Sequence, residues 1–397
     1  MTTSNQSDSI TNNREMITTS NHRAKRMTRL NLAFAVLIGA AVFLQACEDG
    51  IVDPTGGAVP AGTGTRIPGG VEPRVPGSDT LGEYKVVYTT HDGNEFTVAL
   101  ANADGSDYRQ LMKGDMDYLF PTVSPNGRQV AVQAWRNTTY GIDLVNIDGS
   151  NAHLLVADGA TPMWSPDGTK IVYTSKESGN PDIWMINADG SGKRQLTTDR
   201  GRDFHPCWSP DGRMIAFASD REQGGDRLFV MSADGSNQRR VTSNFYSNSA
   251  FQRSSPWSSD SRRLVYTGEI DSRYGVTHLF VVNADGTAQR QVTSVSLSSA
   301  HSPCWSPDGT SIAFVGKVDY RENLFVINAD GSGQRRVTTV SSSDIGCPDW
   351  SPDGKRIVFK ENDAIMTASA DGSSMQRVSE AGARRNEYPL WSPVRIP

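Results

Sequence analysis

"WSPDG" stands at residues 164–168, 208–212, 305–309 and 350–354. Each copy is followed by a short run of the type "KIVYTS" (170–175), apolar and rich in β-branched and aromatic residues. Such runs bounded by Pro and Gly read as strands joined by a tight turn. Weaker copies fill the gaps: "VSPNG" from Val123, "WSSDS" from Trp257 and a terminal "WSP" from Trp391. The marker therefore falls at 123, 164, 208, 257, 305, 350 and 391.

A second marker, "NADG" or a close variant, alternates with the first, its glycine at 105, 149, 190, 235, 286, 331 and 372. Two independent signals with periods of 41–51 residues establish an internal repeat. Each unit reads as four strands: one before the first turn, one after it, "DIWMINADG"-like residues ending on Asp-Gly, and "KRQLTT" as an outer strand. Asp-Gly is a hairpin signal because glycine accepts the positive φ such turns demand. Four strands in about 40–45 residues is the blade of a β-propeller.

The chain ends predict how the ring closes. Residues 84–112 supply three strands and lack a Trp-marked one, while the C-terminus ends in "YPLWSPVRIP". Placing the Trp391 strand beside Tyr84–Tyr88 completes a blade and removes an open sheet edge. The expected fold is all-β, a seven-bladed propeller of four-stranded blades, with six as the alternative count. The units resemble the TolB-type propeller repeat of bacterial periplasmic proteins across 83–397, a repeat related to the propellers of prolyl-oligopeptidase-type enzymes. TolB itself resembles a six-bladed propeller behind an α/β domain; here only residues 48–82 stand in that place. The resemblance is specific for fold and poorly specific for function.

Upstream, "LNLAFAVLIGAAVFLQA" (30–46) follows Arg23, Lys25, Arg26 and Arg29. It is short for a bilayer span and has the layout of a secretory signal. Its end, "LQAC" at Leu44–Cys47, resembles the lipobox of bacterial lipoproteins, which implies lipidation at Cys47. Residues 1–46 are therefore the signal region, with Met27 as an alternative start. Residues 47–82, dominated by Gly, Pro and Thr, form a lipid-anchored tether whose composition cannot offset its ordering entropy. Glu48 after the cysteine implies, by resemblance to enteric sorting signals, an outer-membrane lipoprotein, periplasmic side before cell surface.

Two groups of residues are candidates for function. On the tryptophan frame, the residue three before it varies widely around an almost fixed proline, and its neighbourhood should line the channel mouth: His205, His301, Cys347, Glu387 and Tyr388, with Arg253 on the irregular unit. His, Cys and Glu are zinc ligands by type, but they come from different blades and no paired ligand motif exists, so a polar channel lining is favoured. Both tight turns fall on one face and the long connections on the other. The longest, 242–256 and 268–278, carry Phe245, Tyr246, Phe251, Arg253, Arg273 and Tyr274, residue types enriched at binding hot spots.

A net charge of −5 leaves no nucleic-acid footprint. There is no G-x-S-x-G and no length for a hydrolase domain, which excludes a prolyl-oligopeptidase-type enzyme. The reading is a monomeric, lipid-anchored envelope module that binds a protein, peptide or glycan through its long-loop face, with no cofactor. The alternative is a channel-mouth polysaccharide lyase or hydrolase using His205 and His301 with an optional metal.

Overall fold

The computed structural model describes residues 83–396 except 92, 113–115, 137, 223–224, 243–254, 272–275, 295, 339–341, 343 and 380–384. Cys47, the signal region and the tether lie outside the described residues, as do Phe245, Tyr246, Phe251, Arg253, Arg273 and Tyr274.

Among the described residues there are seven antiparallel sheets and no helix. Blade 1 joins the two ends of the chain: Arg385–Trp391 is its inner strand, followed outward by Lys85–His91, Phe96–Asn102 and Arg109–Gln110. Val86 pairs with Trp391 and Val87 with Leu390, and beyond the strand Glu83 bridges Ile396. The ring is thus closed by the C-terminal strand, as the orphan Trp391 motif requires. Blades 2, 3, 4, 6 and 7 run consecutively, each with four strands. Blade 5 has three, Arg263–Asp271, Val276–Asn283 and Arg290–Gln291, and its Trp257 segment contributes a single bridge to Leu264.

The core is divided among the seams. Seven clusters of buried hydrophobic residues occur, each built from two adjacent blades, the last joining Val358 and Ile365 of blade 7 to Val86 and Tyr88 of blade 1. The marker tryptophans wedge into these seams, between 2% and 8% exposed. Three indoles also donate from Nε1 to the preceding blade: Trp164 to the Thr122 carbonyl at 3.2 Å, Trp257 to Cys207 at 3.2 Å and Trp305 to Pro256 at 2.9 Å.

The turns are self-capping. Ser165 Oγ donates to Asp167 Oδ1 at 2.6 Å and accepts the Lys170 N–H at 2.9 Å, while Asp167 accepts the Thr169 N–H. These bonds hold the Asp167 carboxyl below its ordinary range. The same pattern recurs at Ser209–Asp211, Ser258–Asp260, Ser306–Asp308 and Ser351–Asp353. The glycine of the second turn is required twice over: Gly105 has φ +79°, and a Cβ there would sit 2.8 Å from the Val378 carbonyl of the preceding blade. Outer-strand arginines lock neighbours further, Arg194 to the Asp234 carbonyl, Arg239 to Ala284 and Arg335 to Ala370.

The outer strands are shorter than "KRQLTT" suggests, two paired residues in most blades. Short edges offer little template for pairing with another chain.

Candidate functional site: the channel mouth

Because successive strands are antiparallel, each inner strand runs from the loop face toward the turn face. Position along it therefore sets depth in the channel, and the five mouth residues named from sequence fall in two tiers. His205, Cys347 and Tyr388 occupy one equivalent position, three before the tryptophan, with Phe120, Thr161 and Ser302. All six have positive φ, between 51° and 54°, and sit where the register slips against the second strand. Each is the extra residue of a β-bulge. The following proline has no N–H to orphan there, which is why proline is tolerated inside this strand.

His301 and Glu387 lie one residue earlier, paired with Val315 and Thr89 of their own blades. The bulge re-aims the side chain after them, so the two tiers do not share an environment. His205 is 4% exposed, its backbone N–H on Thr174 Oγ1 at 3.2 Å and its ring edge-on to Phe204. Cys347 and Tyr388 are buried as well, and Tyr388 packs on Phe120 across the blade 1–2 seam with centroids 4.3 Å apart.

The upper tier is charged and internally committed. Glu387 Oε1 accepts from Lys360 Nζ of blade 7 at 3.0 Å and from Arg385 Nε at 2.9 Å, and Lys360 also pairs with Asp344 at 2.7 Å. Burial works against the Lys360 charge, but the two carboxylates outweigh it and hold the ammonium above its ordinary range. His301 Nε2 lies 3.4 Å from Glu322 Oε1, and Glu322 Oε2 accepts the Ile345 N–H of blade 7 at 2.7 Å. Burial opposes the Glu322 charge, yet these two donors keep its carboxyl below the usual range. Lys360 and Asp344 escaped the sequence reading because they sit on a second strand and in a loop, away from the Trp frame.

Below the bulges, the residue just before each tryptophan follows round the waist: Thr122, Met163, Cys207, Pro256, Cys304, Asp349 and Leu390. Thr122 Oγ1 contacts Met163 Sδ at 3.8 Å across one seam. Asp349 is the acid among them. Burial pushes its carboxyl up to about 6, although Oδ2 accepts the Trp391 N–H at 2.9 Å. Cys207, Cys304 and Cys347 are unbridged and buried. Burial raises the Cys207 thiol to about 12 and carries Cys304, beside Asp349, well above its usual value. These thiols are poor nucleophiles at neutral pH. Among the described residues no group of three or more His, Cys, Asp or Glu has metal-holding geometry.

A family described as the TolB beta propeller domain matches residues 75–277 and 254–395. The chain belongs to that family. Among curated proteins, the Tol-Pal system protein TolB of Anaeromyxobacter dehalogenans (strain 2CP-C) is 34% identical over 164 residues, 40% of this chain and 37% of that protein. The match thus spans well under half of the relative's length. Among solved structures, a puromycin-hydrolysing peptidase of Mycobacterium tuberculosis superposes with a TM-score of 0.58 at 14% identity, covering 75% of this chain and 53% of that one. An oligogalacturonate lyase in complex with manganese gives 0.54 at 12% identity, covering 77% and 88%. At these identities the likeness is one of fold alone. Like this TolB-type propeller, they show how many chemistries one scaffold carries.

Proposed function

We propose that this TolB-type propeller is an interaction module of the cell envelope, gripping a protein, peptide or glycan partner with its loop face. In this reading Cys47 carries the lipid, residues 47–82 are the tether, and 83–397 are the binding domain. The protein is monomeric and sits on the outer membrane, periplasmic side. The observation that carries the reading is the asymmetry of the ring. One face is spent on self-capped turns that interlock blade to blade. At the other, the chain leaves the Arg239–Arg240 strand and returns at Trp257 by its longest connection, whose sequence carries Phe245, Tyr246, Phe251 and Arg253. Most of 268–278, read as a second long connection, is paired strand. Variable loops on a rigid scaffold are where recognition is built. The TolB name of the relatives, a component of the Tol-Pal system, supports an envelope protein as partner.

The alternative, a channel-mouth lyase or hydrolase, draws only on fold likeness. His205 and His301 belong to blades 4 and 6 and to different tiers.

The test is capture from solubilised envelopes by the full chain purified in detergent, against a variant with Phe245→Ala, Tyr246→Ala and Arg253→Ala. A discrete partner held by the parent and lost by the variant is expected. Equal capture by both, or none by either, overturns the loop-face reading. Separately, Cys47→Ser is expected to move the protein from the membrane to the soluble fraction.

A further inference from the structure

The loop end of the channel is chemically two-sided. Over blades 6, 7 and 1 it is charged, and over blades 1 and 2 it is aromatic. Phe120 and Tyr388 form one ring pair, and Trp135 and Tyr140, at the tip of the second and third strands of blade 2, form another with centroids 4.6 Å apart. Burial raises the Tyr140 hydroxyl to about 12. Trp135 and Tyr140 are half-buried rather than sealed in a core.

Polar atoms without partners occur in the same two blades: Thr89 in the seam between blades 1 and 2, Gln133 and Tyr140 on the face of blade 2 toward blade 3. Tyr140 Oη, Gln133 Nε2 and Thr89 Oγ1 are buried and meet no hydrogen-bond partner among the described residues. Gln133 has its other end fixed, Oε1 accepting the Thr161 N–H at 3.0 Å, so its amide N–H₂ cannot turn away to find one. Thr89 and Gln133 hold the same position on the second strands of neighbouring blades, paired with Glu387 and Leu119. Buried polar groups are ordinarily satisfied, and a mouth with several that are not is built for something that brings hydroxyls.

We propose that the channel mouth over blades 1 and 2 is a binding site for an uncharged saccharide. A sugar ring offers a C–H face to stack on Trp135 and Tyr140, and hydroxyls that both donate and accept to meet Tyr140 Oη, Gln133 Nε2 and Thr89 Oγ1. The charged half of the mouth decides against an ionic ligand. Lys360 and Arg385 are held by Glu387 and Asp344, and Glu322 by His301, so binding a charged group there breaks an existing pair. This deepens the loop-face reading and rests on it, since it names one ligand class for that face.

Saturation-transfer NMR and titration calorimetry on the full chain in detergent, with chitotetraose, cellotetraose and maltotetraose as neutral probes and tetragalacturonate as the acidic one, test it. At least one neutral tetrasaccharide is expected to show saturation on its ring protons. Trp135→Ala is expected to weaken that binding more than 10-fold, Trp135→Phe to retain most of it, and Tyr140→Phe to weaken it about 5-fold, with the thermal transition of each variant unchanged. The proposal is overturned if no neutral probe binds, if tetragalacturonate binds more tightly than all of them, or if Trp135→Ala and Tyr140→Phe bind as the parent does. Failure here with partner capture still lost in the Phe245, Tyr246 and Arg253 variant would leave the interaction-module reading standing. Loss of both would remove each.

Discussion

The turn face and the loop face are made by the same strands and give positive φ to different kinds of side chain. On the turn face glycine takes positive φ at Gly168, Gly212, Gly309 and Gly354, and Ser261 takes the same place with φ 60°. The short residues Asp107, Asn151, Asn237 and Ala288 take 52–55° just after the second turn, while Ser–Asp pairs satisfy the exposed amides. On the loop face Asp319 and Tyr320 take φ of 49° and 63° in a two-residue hairpin, with Tyr320 91% exposed. Among the described residues, the turn face puts only small or short polar side chains at positive φ, whereas the loop face puts an aromatic there in water. A bulky aromatic kept at an exposed left-handed position, where the other face uses small or short polar residues, is the mark of a surface shaped by something other than stability.

The comparison can be broken most decisively at the closure. Ending the chain at residue 384 removes the inner strand of blade 1, with Trp391 and its seam, and should abolish the cooperative thermal transition and leave aggregated protein. A native-like transition would mean that the ring tolerates an open edge. Next in size, Gly105→Val adds a side chain at φ +79° against the Val378 carbonyl and should cost roughly 2–4 kcal/mol in denaturant titrations.

Asp349 gives a pH-dependent effect from within the channel. Its carboxyl is raised in the folded protein from 3.8 to about 6. Its favourable contribution is therefore fully present below the unfolded value and is lost as pH rises through about 6. Asp349→Asn should match the parent near pH 4 and exceed it by about 3 kcal/mol at pH 7.5. Unfolding midpoints measured across that range check it, and a variant less stable than the parent at pH 7.5 would contradict the assignment.

Smaller effects separate the two faces by sign. Arg335→Ala on the turn side, which loses the bond to the Ala370 carbonyl, should cost about 1 kcal/mol. Tyr320→Gly on the loop side should stabilise by about 1 kcal/mol, because glycine adopts that φ without strain. If both substitutions destabilise alike, the contrast between the faces fails.

The blade count and the closure were legible because they follow from markers that repeat, and repetition averages out the ambiguity of any one strand. The wedge role of tryptophan was legible for the same reason. The bulge was not read, although its signal was present: proline at 121, 162, 206, 303, 348 and 389 cannot donate to a ladder and so marks a slip in register. Phe, Thr, His, Ser, Cys and Tyr at the preceding position hide it, since none is a usual left-handed residue apart from His. That slip is what separates His205, Cys347 and Tyr388 from His301 and Glu387. The aromatic half of the mouth was missed because Trp135 and Tyr140 belong to a hairpin tip outside both repeat markers, and Lys360 because its partner Glu387 is 27 residues away in the next blade.

The pairing of Val86 with Trp391 also sets an order of events. Strands joined by tight turns form from local contacts, but the closing pair joins residues some 300 positions apart and carries the largest loop-closure entropy in the molecule. The strand that completes the ring is also synthesised after every other strand of it. Until it arrives, blade 1 exposes the inner edge of Lys85–His91 and the seam facing blade 7 lacks its tryptophan. A nascent propeller of this kind therefore remains an open coil of blades with an exposed edge until residues 385–391 are made, and becomes a ring in one late step.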